Sequence, residues 1–252
     1  MTSNNKILVV GASGLLGRNF INYLNKQKFK FDITYRNNKP PHKNGKCIKC
    51  DLLDINQVKN KFTDYDVIYM CAGVVKSSKS SIEPEIFFQK NLLIFFNLFY
   101  SSIDNNIKQI IWVSSSTIYK NKKNKIKEND KKMNFDYNIS GIFIFLEKIS
   151  ALINHLKKVK ITFIRTGNIY GPHDHFGKKE RSQVLPNLVE KVIINKIDKS
   201  LLNSQVIRDF TYAEDLVRAM IMISKIKKNL SPINFSYGKP LSIQELTKIL
   251  CK

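Results

Sequence analysis

Three glycines near the N-terminus have the spacing of a phosphate-binding turn. Gly11, Gly14 and Gly17 follow a G-x-x-G-x-x-G pattern, with a β-branched run before them and a helical pattern after them. Bare backbone at such a turn lets a pyrophosphate reach the amides at the start of a helix, whose dipole favours negative charge. Glycines also end strands for structural reasons, but the flanking strand and helix favour a dinucleotide site.

The end of the next predicted strand, residues 31–35, indicates which dinucleotide is bound. NAD-preferring sites usually place an acidic residue here for the adenosine ribose hydroxyls, whereas Arg36 and Lys39 are cations that could pair with a 2′-phosphate. We therefore expect NADP as the preferred cofactor and NAD as the alternative. The competing interpretation is that Arg36 is one more solvated base in a basic protein.

Two other groups of reactive side chains give weaker signals. Cys47 and Cys50 form a C-x-x-C pattern without a second pair or suitably spaced histidines. His173, Asp174 and His175 stand in a loop without further placed ligands. We therefore expect no metal site.

Composition narrows the partners and the compartment. The 252 residues carry a formal charge of +22, but the lysines are spread along the chain and the basic clusters lack interleaved aromatics, so we expect no nucleic-acid partner. Four cysteines and an N-terminus without an apolar core predict a cytoplasmic protein. The apolar stretch 86–100 is interrupted by polar residues, which favours a packed helix over a membrane span.

Strands and helices alternate along the chain, as in an α/β Rossmann-type doubly wound parallel sheet whose ligands lie at the carboxyl ends of the strands. The predicted buried strand 109–116 ends in three hydroxyls, Ser114, Ser115 and Ser116. No composition break marks a second domain. We expect a single dinucleotide-binding domain over 1–252, with segments 168–205 and 230–252 forming a small C-terminal substrate lobe.

Several motifs in this order resemble the extended short-chain dehydrogenase/reductase family, the NAD(P)-dependent nucleotide-sugar epimerases and dehydratases. They are the glycine turn, the D-L-L-D of residues 51–54, Asn91, the S-S-S-T-I-Y of 114–119, the R-T-G-N-I-Y-G-P of 165–172 and the R-D-F-T-Y of 208–212. Residues 170–176 and 182–186 are further similar to the GDP-L-fucose synthase group, which reduces and epimerises a GDP-keto-deoxymannose using NADPH.

The resemblance implies a role for each matching residue. Ser115 would hydrogen-bond the sugar oxygen or keto group, Tyr137 would donate or accept the proton, and Arg208 would pair with the diphosphate of a nucleoside-diphosphate sugar. The implied cofactor residues are Gly11, Ser13, Gly14, Leu15, Leu16, Gly17, Arg36, Asp51, Leu52, Ala72, Ser114, Tyr137 and Asn168. The implied substrate residues are Ser116, Asn168, Gln183 and Arg208.

The chain departs from the family pattern at three places. The lysine expected four residues after Tyr137 is Gly141, and Lys148 is eleven residues on, about 16 Å along a helix, which is too far to replace it. Gln183 replaces a histidine acid of the GDP-fucose synthase group. The chain also ends at Lys252, where the family normally continues, so we expect a truncated substrate lobe. Tyr119 and Lys123 spell a second Y-x-x-x-K, but in a lysine-rich loop.

Two functions therefore stay open. The first is an enzyme that acts on the sugar of a nucleotide sugar through Ser115 and Tyr137. The second is a catalytically impaired family member that binds the dinucleotide as a binding or dimerisation partner. Helices predicted over 85–102 and 137–156 are more apolar than one buried stripe requires and resemble the pair that forms the family's dimer interface, so we expect a homodimer.

Overall fold

The structure is a computed structural model that describes residues 5–74, 82–119, 125–130, 139–155, 159–174, 183–194, 196, 199–228, 230 and 232–251. The strands are β1 (Ile7–Val10), β2 (Asp32–Tyr35), β3 (Cys47–Lys49), β4 (Val67–Met70), β5 (Gln109–Ser115), β6 (Lys160–Thr166), β7 (Asn168–Tyr170), β8 (Ile207–Arg208), β9 (Phe210–Tyr212), β10 (Ile233–Phe235) and β11 (Leu241–Ser242). The helices are α1 (Leu15–Lys26), α2 (Ile55–Lys61), α3 (Pro84–Asp104), α4 (Ile139–His155), α5 (Val184–Ile193), α6 (Lys199–Leu202), α7 (Ala213–Ser224) and α8 (Ile243–Leu250).

Seven parallel strands form the main sheet in the order β10-β6-β5-β4-β1-β2-β3. The chain begins at the centre with β1, builds outward to β3, then crosses back to β4 on the other side of β1. The direction of winding reverses between β1 and β4, and ligands of doubly wound sheets bind at this switch point. The predicted fold class is therefore confirmed.

Helices cover both faces of the sheet, and β1 and β4 at its centre are accordingly buried at every position. Along β4, Ile68 joins a core that includes side chains of α3 and α4, and the next residue, Tyr69, joins a second core that includes Phe20 of α1 and Met220 of α7. Successive strand side chains point to opposite faces. Both faces are thus buried, and only the strand ends are free to hold ligands.

The two strongly apolar helices differ in how much of their surface the fold covers. Helix α4 packs on the sheet through Leu146 and on the segment after β5 through Ile144, yet Leu152 keeps 68% of its surface exposed. Helix α3 exposes Ile86 and Leu93. By length and composition α3 is long and apolar enough to cross a membrane, and half of its most apolar stretch is buried in the fold.

A small lobe lies beyond the main sheet. Leu188, Ile243 and Leu246 form a separate apolar cluster from α5 and α8, and β8 pairs with β11. Residues 168–170, within the segment expected in the lobe, form β7, which pairs with β9. Strand β10, within the segment expected in the lobe, completes the main sheet. Three-residue strands depend on pairing with distant segments, so local sequence does not predict them.

Candidate functional site

The turn formed by residues 11–17, here the dinucleotide turn, has the backbone geometry that its glycines predict. Gly11 has φ +83°, and a Cβ there would lie 2.6 Å from the Ala72 Cβ. Its amide donates to the Thr34 hydroxyl at 3.1 Å. Gly14 is the N-cap of α1 and supplies no side-chain cap to the first helical amides. The start of α1 therefore presents amide donors at the switch point of the sheet.

Gly17 lets α1 pack directly on that turn. A Cβ at this position would lie 2.3 Å from the Gly11 carbonyl oxygen and 2.6 Å from the Ala12 Cα. Ser13 and Leu15 are half-buried at the turn, whereas the Leu16 side chain is buried in the core. The Leu16 side chain therefore packs in the core against the inner side of the turn and does not face the solvent side of the turn.

A cleft of about 410 Å³ lies beyond the carboxyl end of β2, and we call it the adenosine cleft. The Asp51 amide donates to Gln57 Oε1 at 3.1 Å, and the Asp51 carboxylate accepts from the Leu53 amide at 3.1 Å. Three cationic side chains line this cleft, and of these the sequence predicted Arg36. The residues that line the cleft are Arg36, Asn37, Lys49, Asp51, Gln57 and Lys61.

Two asparagines of α3 hold the chain segments that follow β3 and β4. Asn97 donates to the Leu52 carbonyl at 2.9 Å. Asn91 accepts from the Val74 amide at 3.0 Å and donates to the Val74 carbonyl at 3.2 Å. The first contact fixes the turn that carries Leu52, and the second fixes the segment after β4 that carries Ala72. One helix thus positions predicted cofactor residues from two strands.

The three hydroxyls at the end of β5 have different surroundings. Ser114 is buried and donates to Glu147 Oε1 at 2.8 Å. The half-buried Ser115 hydroxyl lies 2.9 Å from the Thr117 hydroxyl and accepts from the Thr117 amide at 3.2 Å. Ser116 is exposed. The Ser114 hydroxyl is therefore committed to the interior, and Ser115 and Ser116 are the accessible hydroxyls of the three.

A buried ion pair that the sequence did not point to lies directly behind Ser114. Arg165 of β6 contacts Glu147 of α4 through Nη2 at 2.7 Å and Nε at 3.0 Å, and their side chains are 4% and 5% exposed. Arg165 Nη1 also donates to the Tyr119 hydroxyl at 2.5 Å and to the Glu128 carbonyl at 2.8 Å. This pair ties the end of β5 to α4 and to the segment 125–130.

Tyr119 belongs to this network. Its hydroxyl donates to Asn234 Oδ1 at 2.6 Å while accepting from Arg165. Burial raises the pKa of the Tyr119 phenol, although the Arg165 guanidinium opposes the shift. A tyrosine held in this way is a structural hydrogen-bonding group. Lys123, its partner in the second Y-x-x-x-K, lies outside the described residues.

Tyr137, the predicted proton donor or acceptor, also lies outside the described residues. The described part of α4 begins two residues later, and Gly141 is buried in it. Ser140 donates to the Thr117 carbonyl at 2.8 Å. The start of α4 is thereby fixed beside the segment that carries Ser115.

Three of the predicted substrate residues lie on β7, on β8 and at the start of α5, whereas the fourth, Ser116, directly follows β5. The Asn168 amide donates to the Asp209 carbonyl at 3.0 Å, and the Asp209 carboxylate accepts from the amides of Tyr237 and Gly238. The Arg208 guanidinium is exposed, and Nη1 donates to the Ile207 carbonyl. Gln183 is the N-cap of α5, without a side-chain cap bond. Within the described ranges, no three His, Cys, Asp or Glu side chains come together as a metal site.

Comparison with known proteins finds one family match and several similar relatives. Residues 7–236 match the NAD dependent epimerase/dehydratase family. GDP-L-colitose synthase of Yersinia pseudotuberculosis is 26% identical over 98% of this chain and 81% of its own length. GDP-L-fucose synthase of Sinorhizobium fredii is 25% identical over 98% of this chain and 79% of its own length.

Solved structures with a similar fold include a nucleotide-sugar epimerase. UDP-N-acetylglucosamine 4-epimerase of Methanobrevibacter ruminantium, solved with UDP-N-acetylmuramic acid, superposes with a TM-score of 0.84. It is 23% identical, and the match covers 97% of this chain and 80% of that one. At this identity the likeness concerns the fold.

Proposed function

We propose, from the premise that this chain belongs to the NAD-dependent epimerase/dehydratase family, that it uses NADP to modify the sugar of a nucleoside-diphosphate sugar. The observation that carries this proposal is the open dinucleotide turn at the switch point, together with the accessible Ser115 hydroxyl at the end of β5, which is the neighbour of β4. Amides for a pyrophosphate and a hydroxyl for a sugar thus lie along one edge of the sheet.

The adenosine cleft supports NADP over NAD. Arg36, Lys49 and Lys61 line it together with Asp51. A 2′-phosphate brings about two negative charges, which these cations would stabilise through charge-assisted hydrogen bonds. Because Arg36 and Lys49 are exposed, we expect the preference to weaken as salt concentration rises.

In the proposed reaction, Ser115 binds the sugar oxygen that gains or loses a proton, and Tyr137 exchanges that proton. Bound NADP would supply hydride chemistry. A free tyrosine titrates near 10, so acting at pH 7 requires lowering its pKa by about 3 units, or ~4 kcal/mol. The missing lysine at position 141 removes one cation that would contribute to this lowering.

Gly141 specifically favours a second candidate, a protein that binds the dinucleotide without turning it over. The dinucleotide turn and the adenosine cleft do not depend on this position. Binding and catalysis can therefore be separated by experiment.

The decisive experiment incubates the purified chain with NADPH and a panel of GDP- and UDP-sugars, including keto-deoxy derivatives, while absorbance at 340 nm and sugar products are followed. The same panel is run with Gly141→Lys and with Gly141→Met, a control of similar length without charge. Turnover by the wild type supports the first candidate. Turnover by Gly141→Lys alone supports the second candidate. NADPH binding without turnover by any variant contradicts the assignment of Ser115 and Tyr137 as a working pair.

We also propose that two copies associate through the exposed apolar side chains of α3 and α4. Ile86, Leu93 and Tyr100 recur every seventh residue along α3, and Leu152 is exposed on α4. Residues seven apart lie on one side of a helix. Because α3 contacts α4 within the chain, two such helix pairs would form a four-helix interface.

A further inference from the structure

The turn that leaves β7 toward the small lobe, residues 171–174, is here called the exit turn. Gly171 has φ +150°, and a Cβ on it would lie 3.3 Å from the Ala213 Cβ and from the Tyr212 ring. His173 adopts φ +71°, a left-handed backbone conformation that residues other than glycine rarely take. On one side the exit turn thus packs closely against the junction between β9 and α7. Its backbone has positive φ at both Gly171 and His173.

A buried amide holds the other side of the exit turn. Asn19 of α1 is 3% exposed, and its Nδ2 donates at 2.9 Å to the Pro172 carbonyl, 153 residues away. The same nitrogen donates at 2.9 Å to the carbonyl of Leu15, the first residue of α1. Asn22 adds an exposed contact, with its Nδ2 3.1 Å from His173 Nε2.

These contacts join the two halves of the site. Leu15 follows Gly14, the N-cap of α1 in the dinucleotide turn, and Pro172 lies just after β7, the strand that carries Asn168. Asparagine is a poor residue for a helix interior because its amide competes with the backbone. A buried asparagine one turn into α1 is explained by the distant Pro172 carbonyl that it satisfies, since an unpaired buried acceptor is costly.

We infer that Asn19 is a positioning residue for the substrate side of the site: through Pro172 it sets the exit turn, and with it Asn168, relative to the bound dinucleotide. This inference rests on the proposed function for its substrate. It deepens that function by assigning a role to a side chain of α1 that touches neither cofactor nor sugar.

The test compares Asn19→Ala with Asn97→Ala, a matched variant in which another buried amide loses its bond to a distant carbonyl, Leu52. Backbone deuterium exchange of residues 169–174 reports the exit turn without any ligand. Calorimetric titration with NADPH, and with GDP-mannose or UDP-glucose in the presence of NADPH, reports the two halves of the site.

For Asn19→Ala we expect faster exchange over residues 171–174. We also expect affinity for the nucleotide sugar to fall about tenfold, the equivalent of ~1.4 kcal/mol or one buried hydrogen bond, with NADPH affinity changed less than about twofold. For Asn97→Ala we expect the opposite effect on affinity, a larger loss for NADPH than for the nucleotide sugar, because it releases the turn beside the adenosine cleft. Exchange over residues 171–174 should stay at the wild-type rate. Asn22→Ala should change little, because water replaces an exposed bond.

Unchanged exchange over residues 171–174 in Asn19→Ala overturns the inference, as does an equal loss of NADPH and sugar affinity. If the wild type binds neither nucleotide sugar, the proposed function is contradicted, while the exchange data still decide whether Asn19 holds the exit turn. Asn19→His, which can place Nδ1 near the lost amide, should restore slow exchange.

Discussion

The buried pair of Glu147 and Arg165 allows a quantitative prediction for Glu147→Gln. The substitution keeps the shape of the side chain and an oxygen that can accept from Ser114, but it leaves the Arg165 guanidinium charged and unpaired at 4% exposure. Breaking a buried pair in this way costs about 3–5 kcal/mol. For a chain of this size, 1 kcal/mol corresponds to ~2–4 °C in Tm, so Tm should fall by roughly 6–20 °C.

Urea unfolding followed by circular dichroism at pH 7.5 measures this loss. The matched control is Asp66→Asn, which breaks a 2.5 Å pair with Lys108 whose side chains are 24% and 68% exposed, and should cost under about 1 kcal/mol. A loss below about 1 kcal/mol in Glu147→Gln with an unchanged m value would refute the argument from burial.

The double variant Glu147→Leu with Arg165→Met separates charge from packing. Replacing a buried ion pair by apolar residues of similar volume is often neutral or stabilising. We therefore expect the double variant to be more stable than Glu147→Gln alone. If it is equally unstable, the bonds from Arg165 to Tyr119 and Glu128 contribute more than the pair itself.

Four further outcomes are expected. Gly17→Ala should abolish NADPH binding in a fluorescence titration while circular dichroism stays native-like, because its Cβ would displace the dinucleotide turn. Arg36→Ala should weaken NADPH binding about tenfold, as for one lost charge-assisted bond, and leave NADH binding unchanged; equal losses for both would contradict the assignment. Leu93→Asp should convert a dimer into a monomer by light scattering at micromolar concentration, and a wild type that is already monomeric would remove the dimer proposal. Burial raises the pKa of the Cys50 thiol to about 11, so at pH 8 a thiol reagent should label exposed Cys251 well before Cys50. Above pH 9 the Cys50 thiol is deprotonated in the unfolded state before it is in the folded state, so the free energy of unfolding should fall as pH rises.

Local patterns made the dinucleotide turn and the alternation of strands and helices predictable. A strand, a glycine turn and a helix adjoin in sequence around Gly14, so their spacing alone implies their geometry. The adenosine cleft was only partly predictable, because Lys49 on β3 and Lys61 on α2 reach Arg36 only once the sheet has formed. Strands β7 and β10 escaped detection for the same reason, since each has three residues and a distant partner.

The hydroxyls of β5 mark the limit of motif-based assignment. The motif places Ser114 and Ser115 side by side, but successive strand residues face opposite sides of a sheet. The structure accordingly places Ser114 in the interior with Glu147 and leaves Ser115 accessible. The period of two could have separated them, whereas the convergence of Glu147 and Arg165, from a helix and a strand, could not be derived from spacing.

If the chain is an enzyme as proposed, the charge balance near Ser115 makes position 141 the one on which activity should depend most. Arg165 reaches toward the end of β5, but Glu147 neutralises its charge, and its Nη1 is occupied by Tyr119 and Glu128. Arg165 therefore cannot supply the positive charge of the family's lysine, whose position is occupied here by Gly141. In the proposed reaction, lowering the pKa of Tyr137 would then depend on the positive charge of an oxidised nicotinamide, which a reduced cofactor does not carry. On this argument the wild type should be slowest in reactions that begin with NADPH, and Gly141→Lys should accelerate those reactions more than reactions that begin with NADP⁺.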